Sequence, residues 1–428
     1  MAITVGLDFG THQTKICYET VERGTVFHEV LQFRSSHGEM SLTLPSVVRL
    51  CADGRLRYGQ DAVDAAGGRV MTYFKQIMFS WSAELETRTC AEEWSVLYLA
   101  FVVLNLDRRF GTSRYIVHMG MPTDADPSHY AFCKCQAVKV LAAAMKLARD
   151  VFGGNQNGFL DAPFSDLSKW VKKCMAEVPH DIHEAQKKFP ILVFPEAYAA
   201  LLPLVINRKL PPVGPNLFVD IGGGTVDISL FTNRMVGGAD QYRPVLYYYH
   251  SIPLGLNRIV GIDPARCHDV SVRAPQITPG CITRFRSGLL AAIDEIVDVL
   301  KRKYEDMGRT NVMPFANLCG QVLDGRPICY SGGGSLFRGL KLPAVGTRYA
   351  FSQVTTVSGL INHAKLAVGD DMFPVLATAF SLSQGALRQR SGTPDEIRLA
   401  TLDSLFGGIR LPQETRFAQG GVHRRRTW

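Results

Sequence analysis

The residues best suited to chemistry lie in LFVDIGGGTVDISLF, positions 217–231. An apolar run leads to Asp220, three glycines follow, and a second apolar run carries Asp227. Bare glycine backbone lets N–H groups approach phosphate oxygens closely, and a neighbouring carboxylate suits a hydrated Mg²⁺. Alone, such a stretch is often no more than a turn. The N-terminal ITVGLDFGTHQTKICYE repeats it, with an apolar run over Ile3 to Leu7, then Asp8, a turn at Gly10 and Thr11, and a second strand from Lys15 to Tyr18. Two apolar strands that each end in a carboxylate are costly to bury without a cation, so Asp8 and Asp220 are the expected metal contacts. A third strand–glycine unit, RPICYSGGGSLFRGLKLP at 326–343, has Gly332, Gly333 and Gly334 followed by Ser335 as the expected helix N-cap. Thr11, Thr225 and Ser335 could also simply satisfy their turns.

The spacing of apolar residues sets the elements around these units. Thr43 to Val63 reads as a strand pair leading into a helix, with a turn at Asp53 and Gly54. The aromatic-rich stretch from Met71 to Trp81 holds one lysine, Lys75, which is either a surface residue stretched along apolar neighbours or a group directed at phosphate. Helices are expected over 92–110, 128–152, 281–304 and 373–385, and strands over 114–122 and 242–253. Ile191 to Ala200 reads as a strand meeting a helix, with Pro195 at its first turn and Glu196 after it. Between 153 and 188 the chain reads as a polar insertion. Pro211, Pro212 and Pro215 mark a connector, and the chain beyond 390 reads as an irregular extension with a basic tail.

The 428 residues are many for one core, so two lobes are expected: 1–200, and 201–372, with 373–390 a helix crossing back to the first. No apolar run reaches about 18 residues and the N-terminus has no basic leader, so neither a membrane span nor secretion is expected. Ten cysteines lack framework spacing, and without a CxxC pair they build no zinc site; reduced thiols in the cytoplasm are the reading. The net charge of +8 is spread over HRRR at 423–426, KRK at 301–303 and KK at 172–173, and nothing beyond charge points to nucleic acid. No Walker A GxxxxGK[ST] and no GxGxxG is present.

The order of motifs resembles the superfamily of actin, the seventy-kilodalton heat-shock chaperones and the sugar kinases. GLDFGT at 6–11 looks like its first phosphate loop, VDIGGGTVDIS at 219–229 its second, and YSGGGSLFRGL at 330–340 its adenosine loop. FPEAYAAL at 194–201 and the helix near 373–385 occupy the places of its two connecting segments. The resemblance implies an α/β, two-lobed actin-like ATPase fold of duplicated ribonuclease-H-like domains around a nucleotide cleft. LPSVVRL at 44–50, YGQDAV at 58–63 and FKQIMF at 74–79 look like the chaperone branch, which puts Lys75 at its catalytic lysine.

For the site, the resemblance implies ATP or ADP held by Asp8, Gly10, Thr11, His12, Gln13, Lys75, Asp220, Gly222, Gly223, Gly224, Thr225, Gly332, Gly333, Gly334 and Ser335. Mg²⁺ would sit on Asp8 and Asp220, and Lys75, Glu196, Thr11 and Thr225 would act on the γ-phosphate. Where chaperones have Glu before the connecting proline this chain has Phe194, with Glu196 following Pro195, an order also found in plasmid-segregating actin relatives. The chain is also too short for a chaperone's peptide-binding domain. The first expectation is therefore a chaperone-like ATPase reduced to its nucleotide domain, whose closure switches a partner-protein surface. The alternatives are a filament-forming actin relative, a nucleotide-gated scaffold without turnover, and a small-molecule kinase with Asp8 or Asp220 as base.

Overall fold

The computed structural model describes residues 3–111, 115–123, 126–206, 215–235, 242–261, 277–307, 326–343, 352–356, 372–385 and 400. Two large sheets organise it. The first contains β1 (Ile3–Phe9), β2 (Gln13–Glu22), β3 (Thr25–Val30), β4 (Tyr115–Met121) and β5 (Ile191–Pro195), in the spatial order β3-β2-β1-β4-β5. The second contains β6 (Asn216–Ile221), β7 (Val226–Met235), β8 (Tyr242–Ile252), β9 (Pro327–Ser331) and β10 (Ser352–Thr356), in the order β8-β7-β6-β9-β10. In each sheet the first three strands are antiparallel, and the first pairs parallel with the fourth and the fourth with the fifth. One topology has been used twice, and the chain has the two-lobed actin-like α/β fold.

Each lobe has its own apolar core. In lobe I, α1 (Leu85–Phe110) and α2 (Pro127–Lys146) pack beneath the sheet together with Val5, Leu7, Phe9, Val117 and Met119. By length and composition α1 could cross a membrane, but 83% of its apolar window is buried inside the protein. In lobe II, α3 (Pro279–Asp306) buries Phe285, Leu289, Ala292, Ile293, Ile296, Leu300 and Tyr304, a stripe at helical spacing, against the second sheet. Between the lobes, α4 (Glu196–Ile206), which precedes α3 in the chain, packs on α5 (Phe373–Leu382) with Phe194, Phe218, Phe231, Leu246 and Cys329.

The contact of α5 with the first sheet depends on a missing side chain. A Cβ on Gly6 of β1 would meet Ala379 O at 2.1 Å and Ser383 N at 2.3 Å, both backbone atoms. Three lobe I side chains tie down the far end of this helix. His118 Nδ1 donates to Leu382 O (2.8 Å), His28 Nδ1 bonds Ser383 Oγ (3.0 Å), and Gly385 N donates to Glu19 Oε2 (3.0 Å).

Four readings change. The helix expected from residue 92 begins at Leu85, and the one expected to reach 152 becomes a π-helical turn at Leu147–Val151. The polar insertion is three helices, Gln156–Asp161, Phe164–Glu177 and Ile182–Lys188. The second of these buries Leu167, Val171 and Cys174, an i, i+4, i+7 stripe that overall polarity had masked. Ser335 does not cap a helix: it lies inside a 3₁₀ turn, Gly333–Leu336, and its hydroxyl donates to Gly332 O at 2.8 Å. Pro211, Pro212 and nearly all of the chain beyond 385 lie outside the described residues.

Gly6→Ala should cost at least about 1–3 kcal/mol, because neither backbone can retreat from the new methyl. Urea unfolding followed by circular dichroism measures this, and an unchanged midpoint would mean that α5 is not held against β1.

Candidate functional site

The two hairpins that open the lobes share a register. Asp8 of β1 lies directly opposite Lys15 of β2, and Asp220 of β6 lies directly opposite Asp227 of β7. Opposed residues of an antiparallel pair project from the same face, so each hairpin places two charges side by side. In lobe I they are opposite, and Lys15 Nζ donates to Asp8 Oδ2 at 3.0 Å. In lobe II they are alike. Asp227 accepts hydrogen bonds from the Ser251 and Tyr249 side chains, while its Oδ1 is buried without a hydrogen-bond partner among the described residues.

Both glycine turns are held from behind. In the first, Ser46 donates through Oγ to Gly10 O (2.7 Å) and through its amide to His12 O (2.8 Å). In the second, the consecutive amides of Gly255, Leu256 and Asn257 donate to the carbonyls of Gly224, Gly222 and Gly223 at 3.2, 3.0 and 2.9 Å. A trans peptide points its N–H opposite to its C=O, and no peptide bond among the described residues is cis. Fixing these carbonyls therefore turns the amides of Thr11, Gln13, Gly223, Gly224 and Thr225 the other way. All five residues line one cavity of about 350 Å³ between the lobes. Oriented backbone amides that converge in this way form an anion site. The close support requires glycine at 255 as well, where a Cβ would meet Gly224 C at 2.3 Å and Gly223 O at 2.4 Å.

The cavity floor is strongly charged. Its lining includes the carboxylates Asp8, Glu196, Asp220 and Asp227 and the cations Lys15 and Lys75. Lys75 is buried, stands over the Phe9 ring and binds Glu196 Oε1 at 2.5 Å. Burial raises the Glu196 pKa, and Asp8 adds to that, while Lys75 opposes it. Burial and the adjacent Asp227 push Asp220 up to about 7. Burial works against a charged Lys15, but Asp8, Asp220 and Glu196 outweigh it and its pKa is raised. His12 is driven down to about 4 by burial and by Lys15, so its ring is neutral.

The carboxylates outnumber the lysines by two, a surplus that one divalent cation would balance. No group of three His, Cys, Asp or Glu among the described residues is placed to chelate a metal alone. The donor set fits a largely hydrated Mg²⁺ shared between one or two carboxylates and phosphate oxygens.

The structure brings Asp8, Gly10, Thr11, His12, Gln13, Lys75, Glu196, Asp220, Gly222, Gly223, Gly224, Thr225, Gly332 and Gly333 to this one lining. Leu336, Phe337, Met372, Pro374 and Val375 form a less polar part of the same wall. Gly334 and Ser335 sit behind the surface, where a Cβ on Gly334 would meet Ile221 Cγ2 at 2.1 Å. Sequence reasoning missed Lys15, which the hairpin register could have revealed since it and Asp227 each follow their partner aspartate by seven positions. It also missed Ser46, Tyr73 and Gly255–Asn257, which reach the turns across the fold and leave no local signal.

No family model matches the sequence, and the comparison with curated proteins finds no match. Among solved structures, the chain is similar to a non-polymerising mutant of MamK bound to AMPPNP. The identity is 16% and the TM-score 0.40, over 89% of this chain and 98% of that one. The finer placement beside the heat-shock chaperones finds no support in these comparisons.

Two outcomes follow from the site. Gly255→Ala should disturb the second turn and lower phosphate-ligand affinity roughly tenfold or more while the far-UV spectrum is kept, as titration calorimetry would show. A carboxyl moved from 3.8 to about 7 binds its proton more tightly in the folded chain. Its contribution to stability therefore falls as pH rises from about 4 to 7, and the full penalty stands above 7. Asp220→Asn should thus stabilise the metal-free protein at pH 8, by on the order of 4 kcal/mol at most, with the gain fading towards pH 4. Urea unfolding at both pH values tests the sign.

Proposed function

We propose that this chain binds ATP with Mg²⁺ in the interlobe cavity and hydrolyses the terminal phosphate as the lobes close. The observation that carries the reading is the convergence of two backbone amide turns, one from each lobe, on a cavity whose floor has a two-charge carboxylate surplus.

In this reading Thr11, Gln13 and the amides of Gly223 to Thr225 hold the phosphoryl oxygens, and the less polar wall beyond Gly332 and Gly333 accepts the nucleoside. Asp8 and Asp220 would hold the Mg²⁺ through its water ligands; when bound, the ion offsets charge on the phosphates. Lys15 and Lys75 supply further positive charge where it builds up in phosphoryl transfer. Glu196 has two stations. Against Lys75 it is half of an ion pair. When phosphate competes for Lys75, the carboxylate is released with a raised pKa, which suits a group that orients and deprotonates the attacking water. The glutamate absent at Phe194 is thereby replaced from the other side of Pro195.

For the partner that senses closure, a second copy of this chain is favoured over an unrelated client protein. The Pro195–Glu196 order is that of the plasmid-segregating actin relatives.

Phosphate release from purified protein with Mg²⁺ tests the chemistry. Glu196→Gln should lower turnover by about 10²–10⁴-fold with ATP affinity largely kept, and Lys75→Ala should lower both. A wild type that binds ATP and releases no phosphate would leave a nucleotide-gated scaffold. ATP-dependent sedimentation that rises with protein concentration is the expected sign of self-assembly; a monomer at every concentration, with and without ATP, would reject it.

A further inference from the structure

His12 lines the cavity, and its side chain reaches across to the second glycine turn. The residue is only 7% exposed and its ring lies against the second turn: a Cβ on Gly223 would fall 2.4 Å from its Nδ1, and one on Gly224 3.2 Å from its Cε1. It therefore bridges the two lobes at the point where their amides converge. Its two nitrogens are differently placed. Nε2 is 2.7 Å from the Tyr73 hydroxyl, with the rings edge to face at 4.8 Å. Nδ1 is buried and has no hydrogen-bond partner among the described residues.

The Tyr73 contact selects a tautomer. A phenol is a better donor than a neutral imidazole N–H, and an imidazole nitrogen a better acceptor than a phenol oxygen, so the hydroxyl donates to Nε2. The ring proton is left on Nδ1, on the side of the glycine turns. Tyr73 is also one of two described non-glycine residues with positive φ, at 58°. Such a conformation costs energy and persists where the surroundings require it. Here it sets the phenol on His12 and starts the short helix Phe74–Met78 that carries Lys75.

We propose that His12 is a ligand-positioning residue whose Nδ1–H, fixed by Tyr73, donates a hydrogen bond to a phosphoryl oxygen of a bound nucleoside polyphosphate. The inference rests on the nucleotide reading and adds one side-chain donor to its five backbone amides. The low pKa of the ring agrees, since a neutral imidazole keeps the single tautomer across the physiological range.

Paired substitutions separate recognition from packing. The amide nitrogen of asparagine can take the place of Nδ1, whereas glutamine reaches only towards the Nε2 position. By calorimetry with Mg·ATP and Mg·ADP, His12→Asn should stay within roughly threefold of wild type, and His12→Gln should bind roughly tenfold or more weakly. Equal affinities in all three proteins, or a weaker His12→Asn than His12→Gln, would overturn the proposal and reduce the ring to a spacer between the turns. Long-range ¹H–¹⁵N spectra of the ligand-free protein supply a readout independent of affinity. A protonated Nδ1 and bare Nε2 are expected in wild type, with the preference weakened in Tyr73→Phe; the opposite tautomer in wild type would overturn the proposal. Wild type that binds neither nucleotide while showing the expected tautomer would instead defeat the nucleotide reading, and the proposal with it.

Discussion

The arrangement depends on the fixed geometry of the peptide plane. A glycine turn by itself can present either carbonyls or amides to a cavity, and only the second choice suits an anion. In this chain the choice is made from outside the turns, by Ser46 in one lobe and by the Gly255–Asn257 amides in the other. Each support captures carbonyl oxygens, and planarity delivers the opposing N–H groups to the cleft. The supports themselves rest on the fold: Ser46 is next to a strand that pairs with β2, and Gly255 follows the end of β8.

The same place concentrates electrostatic cost. Placing like charges opposite one another at Asp220 and Asp227, in surroundings that also hold Asp8 and Glu196, disfavours the folded state. The repeated hairpin exposes how the burden is divided. At matching positions lobe I uses a lysine and lobe II an aspartate, so the first hairpin is nearly neutral and the second carries the excess. The apolar cores of the two lobes and the helical layer between them carry no such conflict and can offset it. A site of this kind is stabilised by what it binds.

Much of the fold was legible because it repeats. An apolar strand, an aspartate, glycines and a second apolar strand occur twice, and the third glycine unit comes where the second lobe needs its fourth strand. Asp8, Asp220 and the turns around them follow from that pattern. Lys75 could be suspected but not placed, because its partner Glu196 is 121 positions away. The supports for the turns were illegible for the same reason: a serine after a proline, or a glycine after a leucine, has no mark of what it will touch. Helices Phe164–Glu177 and Ile182–Lys188 were missed for another reason, since short amphipathic helices with few apolar residues look polar on average.

The contact at Gly6 has a mechanical meaning. At Gly6 the strand has no side chain to compress or rotate and meets the helix backbone directly, and the far end of the helix is tethered through His118, His28 and Glu19. A joint of this kind has no slack. Two residues along the same strand is Asp8, while the near end of α5 reaches the opposite wall through Pro374, whose carbonyl accepts from Gly332 N and Ser331 Oγ. The helix is thus a rigid strut with one end at each side of the cavity. A displacement of the lobe II wall would be passed to the strand bearing Asp8 with little loss, and strain imposed at the outer end of α5 would return along the same path.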